Sequence, residues 1–383
     1  MVKELLDVRE KKVEYIELIY DLIFVYIIGR NNSLLHVFAG GFVTPEAFRT
    51  YVMTTLAVIQ IWNYSTYYIN IFGKRSLREH VFLFINMFLL YFVAEGTRTD
   101  WQDYHLQYHF AWALILLNIG IQYLIEWRKL KKTGEDGRHA GRMAAILMIE
   151  AAVVLADIPL FRMSRTTWFS LAAVVFGMCA VLLFGQHRNR SLVDFPHLSE
   201  RAMLYVVFTF GEMIIAIASY FEGELTLRSA YFALMAFLIV VGLFLSYGIF
   251  YDRIIDRGKR TNGLGYMFLH IFIIFAMNNL TNGLGFMREE DISLLPKVLF
   301  LIGSFAVFFC FLFALGRRHA RVICRKYNRL CLRALAMGIV FFLLMILFRE
   351  NMVINIAVTA VFVFAMFLLL WQYGKNMEIR PDC

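Results

Sequence analysis

Charged residues are scarce in this chain. Asp, Glu, Lys and Arg make up 17% of the sequence, against roughly 25% in soluble proteins, whereas 60% of the residues are hydrophobic and the mean hydropathy is +0.63. This composition excludes an ordinary soluble domain and indicates a protein that lies in a lipid bilayer. The opening residues, MVKELLDVREKK, are charged rather than apolar, so we expect no cleaved signal peptide.

Motifs for catalysis and cofactor binding are missing from the sequence. The five cysteines are an odd number and show no Cys-x-x-Cys or Cys/His spacing, so we predict neither disulfides nor a zinc site. We find no nucleophile elbow, phosphate-binding loop or dinucleotide fingerprint. We therefore predict no catalytic residues and no cofactor, and the sequence favours a protein that is not an enzyme.

Apolar runs long enough to cross a bilayer recur along the whole chain. All five prolines lie between or outside these runs, as expected of a residue that interrupts helices. The sequence thus predicts an all-α integral membrane protein with about twelve transmembrane helices. The predicted spans lie near 12–30, 47–72, 78–95, 107–127, 140–158, 166–186, 199–221, 228–250, 264–286, 296–316, 331–348 and 352–373.

Lys and Arg are distributed unevenly between the predicted loops. With a cytoplasmic N-terminus, most of the 38 basic residues fall in the two tails and in the loops on the inner side. The positive-inside rule then places both termini in the cytoplasm. We attribute the net charge of +9 to this topology and to lipid headgroups, so we expect a lipid bilayer and no nucleic acid as partners.

The two halves of the chain resemble each other. HVFLFINM, which begins at His80, matches HIFIIFAM, which begins at His270, and Asp21 falls on Glu212 in the same alignment. Each half contains six spans, so both halves share one orientation, as in transporters built from parallel repeats. The two predicted repeats are residues 1–190 and 191–383.

Acidic residues occur inside the predicted spans, where a carboxylate near the bilayer centre costs about 2.5–3.5 kcal/mol. Glu17 and Asp21 lie one helical turn apart in span 1, and Glu212 is the repeat counterpart of Asp21 in span 7. We expect spans 1 and 7 to meet near the repeat axis, so that Asp21 and Glu212 face each other or a shared cavity. The alternative is structural, with each acid paired to a buried Arg or Asn.

Further polar residues in the spans extend this set of candidates. Span 2 is too polar to face lipid, and the end of span 9 (MNNLTNGLG) either opens a helix at a binding site or bonds to neighbouring helices. A metal site built from the paired acids and histidines would lack a helical H-x-x-x-H signature, so we predict none. The candidate pathway residues are Asp21, Glu212, Glu17, His80, His270, Glu150, Asn63, Tyr67, Asn278 and Asn279.

Two sequence elements resemble those of a known family. IELIYDLIFVYII in span 1 and HLSERAMLYVVFTFGEMIIAIA at 197–218 are similar to the E-L-x-x-D-L-x-F-V and H-x-x-E-R…G-E elements of the low-temperature-requirement A (LtrA) family. The resemblance implies a multi-pass protein of the bacterial plasma (inner) membrane that is linked by name to growth in the cold. It implies no particular biochemical activity. The matching positions are Glu17, Leu18, Asp21, Leu22, Phe24, Val25, His197, Glu200, Arg201, Gly211 and Glu212.

Duplication together with paired intramembrane carboxylates favours a membrane transporter or channel. We expect a small solute or ion, coupled to protons or another cation, to move along a pathway between the two repeats. Two alternatives stay open. One is a membrane-embedded enzyme that modifies a lipid, which would need a nucleophile or a metal. The other is a non-catalytic membrane sensor or assembly protein.

Overall fold

The computed structural model describes residues 12–98, 101–130, 134–186, 193–218, 226–320 and 325–379. Within these ranges the chain forms twelve α-helices, which confirms the predicted all-helical class. The helices are α1 (Tyr15–Asn31), α2 (Pro45–Phe72), α3 (Leu77–Glu95), α4 (Trp101–Leu130), α5 (Gly134–Ser164), α6 (Trp168–Phe184), α7 (Phe195–Ile217), α8 (Leu227–Ile249), α9 (Leu264–Phe286), α10 (Leu294–His319), α11 (Arg325–Leu347) and α12 (Met352–Ile379).

Eight of these helices are long and apolar enough to cross a membrane: α3, α4, α5 and α8 to α12. The other four are shorter or more polar, and α6 is an apolar helix of 17 residues. Helices α1, α2 and α7 contain buried polar residues such as Glu17, Asp21 and Arg201, and they pack against one another. Their polar faces are therefore turned toward protein instead of lipid, as expected for ionisable groups inside a membrane bundle.

The helix pairs that pack together recur with a shift of six helices. Helix α1 packs on α3, α2 on α6, α3 on α4 and α5 on α6, and the same pairing joins α7 to α9, α8 to α12, α9 to α10 and α11 to α12. In addition, α1 contacts α7 directly. A duplicated six-helix unit would produce this recurrence, and the division into two repeats stays a prediction.

Several helices begin at a capping residue whose side chain accepts a backbone hydrogen bond. Ser76 and the side chain of Glu79 form a reciprocal capping box at the start of α3, and the Asp194 carboxylate accepts a hydrogen bond from the backbone of His197 at the start of α7. Pro159 is different, because α5 continues past it to Ser164 and the predicted end at 158 was too early. Neighbouring helices allow a proline within a membrane helix.

A short hairpin connects α1 to α2, which hydropathy alone does not predict. Strands β1 (Phe38–Ala39) and β2 (Phe42–Val43) are joined by Gly40 and Gly41, whose φ angles of 61° and 82° suit glycine. The bundle end at which α1 begins is called the proximal end below, and the end that carries this hairpin is called the distal end. The predicted topology makes the proximal end cytoplasmic.

Candidate functional site

Glu17 and Asp21 of α1 face two basic side chains of α7. Both acids are buried, and Asp21 has no exposed surface. They lie one helical turn apart and therefore on one face of α1. His197 and Arg201 have the same spacing on α7, and both are buried as well. The acids and bases thus meet in two consecutive layers between the helices.

Asp21 and Arg201 form the inner layer of this network. The guanidinium donates two hydrogen bonds to the carboxylate, with Nη2 to Oδ1 and Nε to Oδ2 (3.3 Å). The indole of Trp62 on α2 donates a third, 2.8 Å long, to Oδ1. Because neither charge reaches water, each depends on the other, and removing one partner of such a pair typically costs about 3–5 kcal/mol.

Glu17 and His197 form the second layer, and the hydrogen bonds determine which histidine nitrogen holds the proton. The Asn70 side-chain oxygen accepts a hydrogen bond from the backbone of Asp194 (3.1 Å), so its NH₂ group donates to His197 Nδ1 (3.1 Å). Nδ1 is then an acceptor, and Nε2–H donates to Glu17 Oε2 at 3.2 Å. Arg201 Nε lies 3.6 Å from the same oxygen.

A small cavity connects Glu17 to the proximal end of the bundle. Its volume is about 30 Å³, enough for a water molecule. Near its mouth, Arg75 Nε lies 2.5 Å and His80 Nε2 lies 3.8 Å from the carboxylate oxygens of Glu14. His80 therefore pairs with Glu14 at the proximal end and not with the buried acids. The polar residues that line the cavity are Glu14, Glu17, Ser65, Tyr68, Arg75, Glu79, His80 and Gln122.

Glu212 also lies at the α1–α7 interface, but at a different level. Its carboxylate occupies the space beside Gly29, where a larger side chain on α1 would overlap it. Glu212 is about 16 Å along α7 from Arg201, at 1.5 Å per residue. Asp21 and Glu212 therefore do not face each other. The contacts between α1 and α7 join residues that are 180 positions apart in the sequence. The sequence repeat instead matches Asp21 to Glu212, which is 191 positions away.

Glu150 of α5 has its partner on α2. Its Oε2 accepts a hydrogen bond of 2.8 Å from the Tyr64 hydroxyl, which in turn accepts one from Gln60 Nε2. Glu150 is fully buried, and its Oε1 has no hydrogen-bond partner within the described part of the chain. Gly177 of α6 leaves the room for this group, since a Cβ there would overlap both Gln60 and Glu150.

Asn63 and Tyr67 of span 2 have different surroundings. Asn63 lines a cavity of about 20 Å³ together with Gln60, Tyr64 and apolar residues of α6 and α9. The Tyr67 hydroxyl instead donates to the backbone carbonyl of Asn262, 2.9 Å away, just before α9. Asn63 therefore lines a cavity, whereas the Tyr67 side chain connects α2 to the segment just before α9.

The amides at the end of span 9 bond to neighbouring elements. Asn278 donates to the Tyr51 hydroxyl (2.9 Å), and this hydroxyl donates to Asn279 Oδ1 (2.6 Å). Helix α9 continues without interruption through this segment. Of the two expectations for span 9, the structure shows bonding between helices and no opening of the helix.

His270 lies apart from the acidic residues. Its Nδ1 is 2.8 Å from the backbone carbonyl of Tyr266, and its Nε2 is 3.0 Å from the Tyr247 hydroxyl. The ring is fully buried among α8 and α9. His80 and His270, which occupy matching positions in the two halves, thus have different partners and degrees of burial.

Sequence reasoning missed a second buried polar cluster, at the distal end. His105 and His109 of α4 point at Asp157 of α5, with Ser170 of α6 beside them. The signal was present in the sequence, because HLQYH at 105–109 is an H-x-x-x-H pattern that places both rings on one helical face. Sequence reasoning also assigned no partners to Arg201 and His197.

The bundle and its buried polar networks define a multi-pass α-helical membrane protein. A sequence model of the bacterial low temperature requirement A protein (LtrA) family matches residues 12–371. The match covers nearly the whole chain, so the chain belongs to the LtrA family, and the resemblance seen in the sequence is confirmed. No curated protein matches the chain.

The two elements that resemble the family motifs are in contact with each other. Glu17 and Asp21 come from the first element, and His197 and Arg201 come from the second. Each element contributes two side chains at one-turn spacing, and each acid of the first meets a base of the second. The elements therefore form a single buried site, which makes this network the main candidate for function.

Proposed function

We propose that the protein is a proton-coupled carrier for a small solute or ion, and that the layers Glu17–His197 and Asp21–Arg201 form its coupling site. One observation carries this proposal. A buried network of acids and bases joins α1 to α7, and one of its acids, Glu17, lines a cavity that extends to the proximal end. A proton from that side can therefore reach a group that holds the two helices together.

Stability alone does not explain why such a network lies at this position. Replacing a buried ion pair by apolar residues of similar volume is often neutral or stabilising by about 1–4 kcal/mol. Ionisable residues inside membrane bundles characteristically mark ion pathways and proton relays. The complete burial of Asp21 and Arg201 thus supports a functional role for their charges.

Protonation of Glu17 would change the forces between α1 and α7. The neutral acid loses its charge attraction to Arg201, 3.6 Å away, and gains a proton that competes with His197 Nε2–H. In our proposal this weakens the Glu17–His197 layer and leaves Asp21 as the one acid that binds Arg201. The helices then separate at the proximal end, and a second conformation becomes populated.

The small size of the two cavities beside the buried acids favours a carrier over an open channel. The cavity at Glu17 measures about 30 Å³ and the cavity at Asn63 about 20 Å³, and their linings share no residue. Such separate spaces fit an occluded conformation that must rearrange to admit a solute.

We place the solute site at the second cavity, because Gln60, Asn63 and Tyr64 supply polar groups there beside the buried Glu150. The recurring helix pairs support the two-repeat arrangement that carriers use.

The proposal is tested by flux in liposomes. The purified chain is reconstituted with a pH-sensitive dye inside and exposed to pools of inorganic cations, anions, amino acids, amines, organic acids and sugars. We expect at least one pool to drive proton movement in the wild type, and Glu17→Gln and Asp21→Asn to abolish it. Glu46→Gln removes an exposed acid at the start of α2 and serves as the matched control, with wild-type flux.

Two results would count against the proposal. One is that, with the protein correctly inserted and monodisperse, the proton movement in every solute pool equals the movement in empty liposomes. The other is a solute-driven proton flux that Glu17→Gln leaves unchanged. Either result would favour the enzyme or sensor alternatives.

A further inference from the structure

The distal end of the bundle holds a buried cluster that the proposed coupling site does not use. His105 and His109 lie near the start of α4, Asp157 near the end of α5 and Ser170 near the start of α6. All four side chains are buried, with relative exposures of 3% for His105 and 0% for the other three. Three helices thus contribute nitrogen and oxygen atoms to one enclosed volume.

The polar atoms of the cluster converge on one carboxylate oxygen. Asp157 Oδ2 lies 3.0 Å from His109 Nε2 and 3.3 Å from His105 Nε2. The Ser170 hydroxyl donates to the same Oδ2 and lies 2.9 Å from His109 Nε2. The other carboxylate oxygen, Oδ1, is buried and has no hydrogen-bond partner among the residues that the structure describes.

The second ring nitrogen of His109 shows why this arrangement needs a cation. His109 Nδ1 lies 2.9 Å from the backbone carbonyl of His105, which can only accept, so Nδ1 carries a hydrogen. In the neutral ring Nε2 then presents a lone pair to the Asp157 carboxylate, which is also an acceptor. Ser170 has one hydrogen and donates it to Asp157. The contact between Nε2 and Oδ2 therefore requires a cation between the two atoms, either a proton or a metal ion.

We propose that His105, His109 and Asp157 bind a divalent transition-metal ion, with zinc as the best fit. Imidazole nitrogens with one carboxylate are typical zinc ligands, whereas magnesium and calcium prefer oxygen alone. In a tetrahedral site with bonds of 2.0–2.1 Å, neighbouring ligand atoms lie about 3.3 Å apart. The observed separations of 3.0 and 3.3 Å are close to this value. The Ser170 oxygen, 2.9 Å from His109 Nε2, is a further polar atom in the same cluster.

The surroundings of the cluster suit a structural ion. The His109 ring is oriented by its bond to the His105 carbonyl, as metal-bound histidines usually are. The His105 ring stacks on Phe161 with the centroids 3.7 Å apart. Pro159 lies two positions beyond Asp157 and deprives α5 of a backbone donor, so an ion here would fix the end of that helix against α4 and α6.

The test measures metal on the full-length protein in detergent. The wild type is treated with a chelator, incubated with zinc sulfate, freed of unbound metal and analysed by mass spectrometry for zinc. We expect a single tightly bound zinc ion per chain in the wild type. His109→Asn and Asp157→Asn should lower the affinity for zinc by about 100-fold or more, since loss of even an outer-sphere partner costs about 10–100-fold.

His270→Asn is the matched control. His270 is also fully buried, and its Nδ1 is also within hydrogen-bond distance of a backbone carbonyl one turn earlier, that of Tyr266. Its Nε2, however, contacts the Tyr247 hydroxyl and not a carboxylate. We expect this variant to retain zinc as the wild type does. Equal loss of zinc in His270→Asn and His109→Asn would overturn the assignment.

A spectroscopic measurement on the wild type keeps the proposal independent of how the variants fold. Cobalt added to the chelator-treated protein should give the visible absorption of a tetrahedral Co²⁺ site, and zinc should displace it. A wild type that binds no more zinc or cobalt than a His105→Asn, His109→Asn double variant would contradict the proposal. The cluster would then be a buried ion pair between Asp157 and protonated histidine.

Discussion

Arg201 determines the electrostatics of the α1–α7 interface. Its guanidinium is completely buried, and it lies within reach of two carboxylates, those of Asp21 and Glu17. One positive charge is thus shared by two acids, and His197 satisfies the second of them by a hydrogen bond. Glu17 is the acid next to the cavity, so we assign it the exchangeable proton.

Loss of the Asp21 carboxylate should destabilise the protein strongly. Asp21→Asn leaves the buried guanidinium of Arg201 with a neutral amide, and breaking a buried pair in this way costs about 3–5 kcal/mol. We expect the free energy of unfolding, measured by denaturant titration in detergent, to fall by about that amount.

The double variant Asp21→Leu, Arg201→Met separates charge from packing. Because it removes both charges and keeps apolar volume, we expect it to recover most of the stability lost in Asp21→Asn. Two results would show that this pair does not behave as a buried ion pair. One is that Asp21→Asn unfolds like the wild type, and the other is that the double variant is less stable than Asp21→Asn.

The residues of the candidate site could be predicted only in part. The one-turn spacing of Glu17 and Asp21, and their cost in a membrane, are visible in the sequence. Their partners are not, because partners depend on the register in which α1 packs on α7, and the internal repeat suggested a different register. His105 and His109 could have been found from spacing alone, whereas Asp157 required the packing of α4 on α5.

At the scale of helices, α2 connects the candidate site to the start of α7. The side chain of Asn70 accepts a hydrogen bond from the Asp194 backbone N–H (3.1 Å) and donates to the Asp194 carbonyl (2.8 Å). It also donates to His197 Nδ1 and thereby fixes the proton on the nitrogen that faces Glu17. One amide of α2 thus positions the first turn of α7 and its histidine.

Asn70→Ala should loosen the start of α7. The substitution leaves backbone groups of Asp194 and the His197 ring without these partners, and each unsatisfied buried group costs about 1–3 kcal/mol. We expect faster hydrogen exchange in the first turns of α7, measured by mass spectrometry, and lower stability. Asn63→Ala is the matched control on the same helix, because Asn63 lines a cavity away from α7. Equal exchange in both variants would contradict this role of Asn70.

The helices themselves were predicted well because their signals are local. Each of the twelve predicted spans corresponds to a helix of the described chain, since apolar runs and capping residues lie within the segment that they define. The predicted end of α5 is too early, because Pro159 lies inside the helix and does not end it. The hairpin at β1 and β2 was not predicted, because it spans few residues and carries no hydropathy signal.

Across the whole molecule, three of the buried polar clusters carry the functional account. The acid–base network joins α1 to α7 near the proximal end, and Glu150 with Tyr64 joins α5 to α2. The histidine cluster of α4, α5 and α6 is at the distal end. In our account the first cluster couples protons to motion and the second borders the solute site. The third holds its helices together with a metal ion.

The central claim is that protonation of Glu17 changes the packing of α1 on α7. The most direct measurement is the distance between spin labels at Ile19→Cys, which is exposed, and Leu204→Cys, which is half-buried, in a chain whose five cysteines are replaced by serine. Both positions lie within one helical turn of the acid–base network. Pulsed electron paramagnetic resonance would compare neutral and acidic samples in lipid nanodiscs.

We predict two distance populations whose ratio shifts on acidification. Glu17→Gln, which resembles the protonated acid, should show the acidic distribution already at neutral pH, and Glu46→Gln should behave as the wild type. A single distance that neither acidification nor Glu17→Gln alters would contradict the account.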